Sequence, residues 1–438
     1  MKYSQNVSKL YIFQLSVPIF FANIAIPTVG FVDTALMGHL SSEKFLAALS
    51  IATSVLTMII GSLGFLRMAT VGVVSQSLGK GDYKEISRTI IRNLLLALIL
   101  SLIIIFSKEL ILSNINKFFS PSLETSILIE KYVSIRIFSM PAELTLYIIV
   151  GFFLGIQKTF FSSLVVIFFC ITNIFFSIFF VNNMNLEIYG VALGTVVSSY
   201  LTVSISLFMC FFYFKHRFNL IPRFENIFIR KKLMKLFNIN FDIFLRSIFL
   251  LFAFLWITFQ SSKLGEEYLA ANTLLLQFIM LASFFLDSYA FATESIIGFA
   301  VGRKTKKVFI KTVVNSFELS FFSGIIISVL YVISYKLIIN SFTDLDYIRF
   351  LAYGFIFWVI LIPPVASFCY QFDGIFIGAT QTPEMRNAMF LSVVLFILCS
   401  IYAVDYFGNN GLWLSVLFFM LIRSITLNFY FSKILKKF

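Results

Sequence analysis

Stretches of about 18 or more mostly apolar residues recur along the whole of this 438-residue chain. As a helix, each is long enough to cross a hydrocarbon core ~30 Å thick. The rest of the composition agrees: 59% of residues are hydrophobic and 13% charged, too little polar surface for a soluble protein of this length. The longest strongly polar stretch, Lys215 to Lys235, leaves no room for a soluble domain. The expected fold class is therefore an all-α polytopic membrane protein.

The spans read as 10–37, 46–78, 89–107, 124–154, 159–181, 188–214, 238–262, 268–301, 310–339, 347–379, 387–405 and 411–432, twelve in all. Their connections alternate in charge, with 23 Lys and Arg on one side and five on the other (Lys44, Lys108, Lys117, Lys263 and Lys336). The excess of basic residues places that side in the cytoplasm, and both termini with it. A multi-pass protein of the inner (plasma) membrane is expected. The first apolar run, Leu10 to Met37, is too long for a cleavable signal peptide and has no small-residue cleavage site.

Topology and anionic headgroups account for the net charge of +13, because the basic clusters lie in short loops. No nucleic-acid partner is needed; the lipid bilayer is the partner the composition implies. The four cysteines (Cys170, Cys210, Cys369 and Cys399) lie inside apolar runs, and the two histidines are His39 and His216. Neither a disulfide framework nor a metal site is expected. Catalysis is not expected either: there is no nucleophile elbow or metal-ligand cluster, and Gly79-Lys80-Gly81-Asp82 reads as a turn after a helix, not a phosphate loop.

An internal repeat emerges at an offset of 223 residues. Phe45-Leu46-Ala47-Ala48 matches Tyr268-Leu269-Ala270-Ala271, Gly79-Lys80 matches Gly302-Arg303, and Gly151 and Gly155 match Gly374 and Gly378. Each match falls at corresponding points of spans 2 and 8 or 4 and 10. The chain is thus expected to hold two pseudo-symmetric six-helix bundles, residues 1–214 and 237–438, joined by a basic cytoplasmic linker, 215–236. Since six is even, the bundles share one orientation in the membrane. Parallel repeats of this kind recur in secondary transporters, with the site between the lobes. A passive channel gives no reason for this duplication with proline-bearing helices.

Charges inside a membrane helix are costly and usually carry a role or a partner. Asp33 stands in the first span, six residues after Pro27 and fifteen after Pro18. Proline bends a helix, and Pro27 has no N–H to offer the carbonyl of Asn23. A carboxyl in low dielectric exchanges a proton nearer neutral pH than one in water. Asp33 reads either as that functional group or as an interfacial acid at the end of the span. Asp242 and Arg246, four apart, have the spacing of an ion pair, as do Arg136 and Glu143, seven apart on one face. Asp287 and Glu294, also seven apart, lack a cation at helical spacing and are candidates to line a cavity, together with Gln277 and Tyr370. Asp373 precedes a Gly-x-x-x-Gly pattern that lets helices approach closely, and reads as a bend or a cavity residue.

Several segments together resemble the multidrug and toxic compound extrusion (MATE) family, and its DinF-like branch in particular. They are Pro18 through Asp33 to Gly38-His39-Leu40, Arg67 to Gly72 with Gln76 and Gly79, Asp287 to Glu294, and Phe372-Asp373-Gly374 through Gly378 and Gln381 to Arg386-Asn387. The resemblance implies two six-helix lobes in a V shape. It implies alternating access, with efflux of amphipathic, often cationic compounds against H⁺ or Na⁺, by a monomer without a cofactor. It also implies a coupling cluster: Asp33 matches the family's first-helix aspartate, Asn173 its span-5 asparagine and Thr195 its span-6 threonine. The chain departs from the pattern at Ser177, where the family has a second aspartate. One carboxylate among neutral oxygens suits H⁺ better than Na⁺, which stays possible at Asp33. The alternative within the superfamily is a flippase for lipid-linked precursors. That would call for a cluster of cations in the cleft, where Arg67 and Arg246 are the main candidates.

Overall fold

The computed structural model describes residues 7–40, 42–220 and 226–438; part of the linker, residues 221–225, lies outside them. Fifteen α-helices are present among the described residues. They are α1 (Lys9–Gly38), α2 (Glu43–Ser62), α3 (Phe65–Lys80), α4 (Tyr83–Phe106), α5 (Lys108–Phe119), α6 (Leu123–Arg136), α7 (Met140–Gly155), α8 (Thr159–Ile178) and α9 (Glu187–Arg217) in the first half. The second half holds α10 (Arg230–Leu264), α11 (Glu266–Arg303), α12 (Lys306–Phe342), α13 (Asp346–Gly378), α14 (Thr382–Phe407) and α15 (Asn409–Leu435). Twelve segments are long and apolar enough to span a membrane, with α2–α3 forming one span and α6–α7 another.

The starts and stops follow from local chemistry. Ser42, Asp82 and Ser122 cap α2, α4 and α6 by accepting from the backbone N–H of Lys44, Glu85 and Thr125. Gly81 ends α3 in the left-handed conformation (φ 73°), so the Gly-Lys-Gly-Asp stretch is a helix stop followed by a helix start.

The duplication extends to element boundaries. Glu43–Lys80 and Glu266–Arg303 both span 38 residues, and Leu123–Gly155 and Asp346–Gly378 both span 33, each pair starting and ending 223 apart. The close packing recurs as well. A Cβ on Gly151 would come within 2.7 Å of the Arg67 carbonyl oxygen, and one on Gly374 within 2.5 Å of that of Ala290, its counterpart at the same offset. Likewise Gly155 faces the Val71 carbonyl and Gly378 that of Glu294. Glycine permits this approach because it places no side chain between the helices.

The halves differ in continuity. Span 2 breaks at Leu63–Gly64, where α11 runs unbroken, and α4 and α5 part at Ser107, where α12 continues. A 3₁₀ turn, Ile137–Ser139, precedes Pro141 in span 4; its counterpart in α13 carries Pro363 and Pro364 inside a continuous helix.

The chain divides into two compact units: Phe21–Leu236, and Phe237–Phe438 together with the described residues of Met1–Phe20. The start of α1 is therefore part of the second unit. There Lys9 pairs with Glu318, Asn315 donates to the Val7 carbonyl at 2.9 Å, and the rings of Phe20 and Phe285 lie 3.8 Å apart. In the first unit a core gathers around Tyr132, Val133, Ile137 and Ala48. The core of the second gathers around Phe278, Phe396, Trp413 and Phe419. Large apolar side chains such as Phe106, Ile333 and Phe429 remain exposed, as lipid-solvated helices require.

Candidate functional site

In the first unit, α1, α8 and α9 bring Asp33, Asn173, Ser177 and Thr195 together. Asp33 is 7% exposed, and Asn173 and Ser177 are fully buried one turn apart on α8. Asn173 Nδ2 donates to Thr195 Oγ1 at 3.0 Å, and Thr195 Oγ1 donates to the Val191 carbonyl at 3.2 Å. The Ser177 hydroxyl donates to Asn173 Oδ1 at 3.5 Å, with the Asp33 carboxyl close by. Asp33 Oδ1 is buried and accepts no hydrogen bond among the described residues. The backbone of α9 comes so near that a Cβ on Gly194 would sit 2.7 Å from Ser177 Oγ.

A second layer lies on α6 and α7. Arg136 and Glu143 form a two-pronged ion pair, as their spacing suggests, Arg136 also donates to Ser139, and the buried Tyr132 lies within electrostatic reach of both charges. The guanidinium also attracts the Asp33 carboxylate. Tyr132 is missing from the sequence-based candidates; its place one turn before Arg136 was the available signal.

The second unit corrects one expectation. Asp242 and Arg246 do not pair with each other. Asp242 accepts from Arg386 at 2.7 Å and from Thr382 at 2.9 Å, whereas Arg246 pairs with Asp373. Asp373 also pairs with Arg423 at 2.7 Å, so two guanidiniums on α10 and α15 share one carboxylate on α13. Arg423 in turn stacks over Phe419 and Tyr370, 5.5 and 5.9 Å from their ring centres. Asp287 is half-buried on α11, near enough to act on Tyr370 electrostatically. Glu294 is fully buried two turns further on, where α13 crosses at Gly378. Gln277 is half-buried and ten residues before Asp287, ~15 Å along the same helix. Among the described residues no group of three or more His, Cys, Asp or Glu has the arrangement of a metal site.

A protein-family model described as MatE matches the chain twice, over residues 18–179 and 243–404. The chain belongs to the MatE family. Two equal-length matches of one model also express the duplication seen in the helices. Among curated relatives, the DNA damage-inducible protein F of Escherichia coli (strain K12) is 30% identical over 416 residues, covering 95% of this chain and 90% of that protein. The multidrug resistance protein NorM of Vibrio cholerae is 27% identical over 314 residues, 70% of this chain and 67% of that one.

Solved structures agree on the fold. A mutant of a Vibrio cholerae MATE transporter superposes with a TM-score of 0.87 at 16% identity, over 98% of this chain and 97% of that one. A transporter of the MOP superfamily from Pyrococcus furiosus gives 0.85 at 16% identity, over 98% and 96%. MatE proteins are transporters and not enzymes, and this member is a multi-pass membrane protein.

Proposed function

We propose that this chain is a secondary active efflux antiporter that exports amphipathic, cationic organic compounds in exchange for H⁺. The observation that carries the reading is Asp33: a buried carboxylate whose neighbours Ser177, Asn173 and Thr195 offer only neutral oxygens. Asn173 and Thr195 already bind each other, which leaves few oxygens to replace the water shell of Na⁺. A single proton needs only the carboxylate. The multidrug resistance proteins among the relatives support an organic cargo.

In this mechanism two bundles, 1–214 and 237–438, alternate between inward- and outward-facing states about the linker 215–236. Asp33 takes up the proton, and bends at Pro18 and Pro27 transmit the change along α1. Proton and cargo drive exchange only if each has different affinities for the two states. Asp287, Glu294, Gln277 and Tyr370 are the proposed cargo contacts. Asp373 is proposed as the fixed counter-ion of two arginines beside them. The protein works as a monomer in the inner membrane with both termini cytoplasmic. The flippase alternative needs cations available for a pyrophosphate, and Arg246 and Arg423 are engaged by Asp373 instead.

The test is substrate-driven proton movement in reconstituted vesicles, with and without a Na⁺ gradient. Proton movement that needs no Na⁺ and is lost in Asp33→Asn is the expected result. Transport driven by Na⁺ alone, or unchanged in Asp33→Asn, would sink the assignment.

A further inference from the structure

In the second unit, buried arginines outnumber the acids that face them. Arg246 on α10 and Arg423 on α15 are 7% and 3% exposed, and Asp373 on α13, 7% exposed, pairs with both. Among the described residues it is the one acid within ion-pair distance of either arginine. We propose that the surplus positive charge makes this cluster a binding site for one monovalent anion, either a free halide or the carboxylate of a ligand.

Both guanidiniums reach Asp373 through Nη2, and both use the same oxygen, Oδ2. Two cations therefore stand a few ångström apart with one negative charge between them. A buried charge is stable when it is paired, and one carboxylate neutralises only one of these two. The hydrogen-bond donors agree. The Nε of each arginine is buried and has no acceptor among the described residues. An arginine fork takes an anion through two N–H groups at once, and here each fork is half used. Asp373 Oδ1 is buried without a donor as well. A water there would satisfy hydrogen bonds, but it would leave the surplus charge as it is.

Elsewhere this chain completes its buried arginines. Arg92 donates through Nε to the Ile227 carbonyl at 2.8 Å, through Nη1 to Glu85 at 2.9 Å and through Nη2 to the Asn226 carbonyl at 3.0 Å. Arg136 meets Glu143 through two prongs. The second-unit cluster is not part of the duplicated frame either. At the repeat offset, positions 246, 373 and 423 correspond to Asn23, Val150 and Tyr200, none of them charged.

The surroundings select the kind of anion. Arg423 Nη1 lies 3.6 Å from Met420 Sδ, the Cys369 thiol lies 3.8 Å from the same sulfur, and the rings of Phe419 and Tyr370 flank the guanidinium. Such weakly polar neighbours cannot replace the water shell of a sulfate or a phosphate, which is costly to strip. A singly charged ion such as chloride gives up its water more readily, and with one bound the cluster is neutral. Tyr370 is also a proposed cargo contact, within electrostatic reach of Asp287. Neutralising the arginines leaves Asp287 as the charge that a cationic cargo meets there.

Thermal unfolding of the purified full-length protein tests the site at constant ionic strength, with gluconate as the reference anion replaced by chloride or by acetate. The wild-type midpoint should rise by about 2–4 °C with chloride and level off, as filling one site requires. The same rise with acetate would identify a ligand carboxylate as the occupant, and a rise with chloride alone would identify the free halide. In Arg246→Met one cation faces one carboxylate, and the anion dependence should be lost. A wild-type midpoint indifferent to both anions, or a full dependence in Arg246→Met, would overturn the proposal.

Should Arg246→Met fail to fold, wild-type crystals grown in bromide carry the test. An anomalous peak within reach of Arg246 and Arg423 is the expected result, and an ordered water in its place overturns the proposal. Neither measurement involves transport, so failure of proton antiport in the vesicle assay would leave this site standing.

Discussion

Asp373 lies between two guanidiniums, and that position sets what its removal does. Asp373→Asn leaves Arg246 and Arg423 buried without a counter-ion, and breaking a buried pair by removing one partner costs about 3–5 kcal/mol. Thermal unfolding of the purified variant should show a large loss of stability. Asp33→Asn should cost about 1 kcal/mol or less, since Arg136 keeps Glu143 and the amide fills the same space. On the proposed reading one acid is structural and the other functional, although both stood out from sequence for the same reason, a charge in an apolar run. The sequence could not sort them. Asp242 and Arg246 have the spacing of a pair, yet their partners come from positions more than 120 residues away, on α13 and α14. Local spacing carries no information about such partners. Arg136 and Glu143 were legible because both members sit on one continuous face.

At the scale of elements, the glycine pattern makes the next prediction. Gly374→Ala would drive a methyl against the Ala290 carbonyl oxygen at 2.5 Å, backbone that cannot move aside alone. Overpacking of this kind costs about 1–3 kcal/mol. Gly354→Ala, on the same helix with nothing within 4 Å, should be neutral or gain about 0.5–1 kcal/mol from reduced backbone freedom. Equal losses for both in thermal unfolding would mean that helix contact is not what this glycine serves. The number of spans and most of their ends were readable because apolar length decides them. The break at Gly64 was not, since a helix interrupted by a turn remains apolar, and neither was α5, a half-polar helix in what read as the connection 108–123. Gly194 was also missed: its role depends on a contact with Ser177 on the preceding helix, which only the packed structure shows.

At the scale of the whole chain, duplication supplied two copies of one frame, and substitution at matched positions divided their chemistry. Positions 256 and 400 meet as indole and hydroxyl in the second half, and their counterparts 33 and 177 are a carboxyl and a hydroxyl, both buried, in the first. The frame was visible in sequence as a constant offset. The pairing was not, because Ser177 and Ser400 are ordinary serines until their partners are known. If charge, and not the contact itself, is what the first pair adds, the two pairs must respond differently to truncation. Trp256→Phe removes the indole donor and should cost about 0.5–1.5 kcal/mol in stability, while the pH dependence of transport stays as in the wild type. Asp33→Asn should abolish that pH dependence, because the amide takes up no proton in this range. Measuring transport against pH for both variants in the same vesicles compares the halves directly. An equal effect in the two would mean that these positions act through helix packing in both halves, and the asymmetry of charge would lose its part in the mechanism.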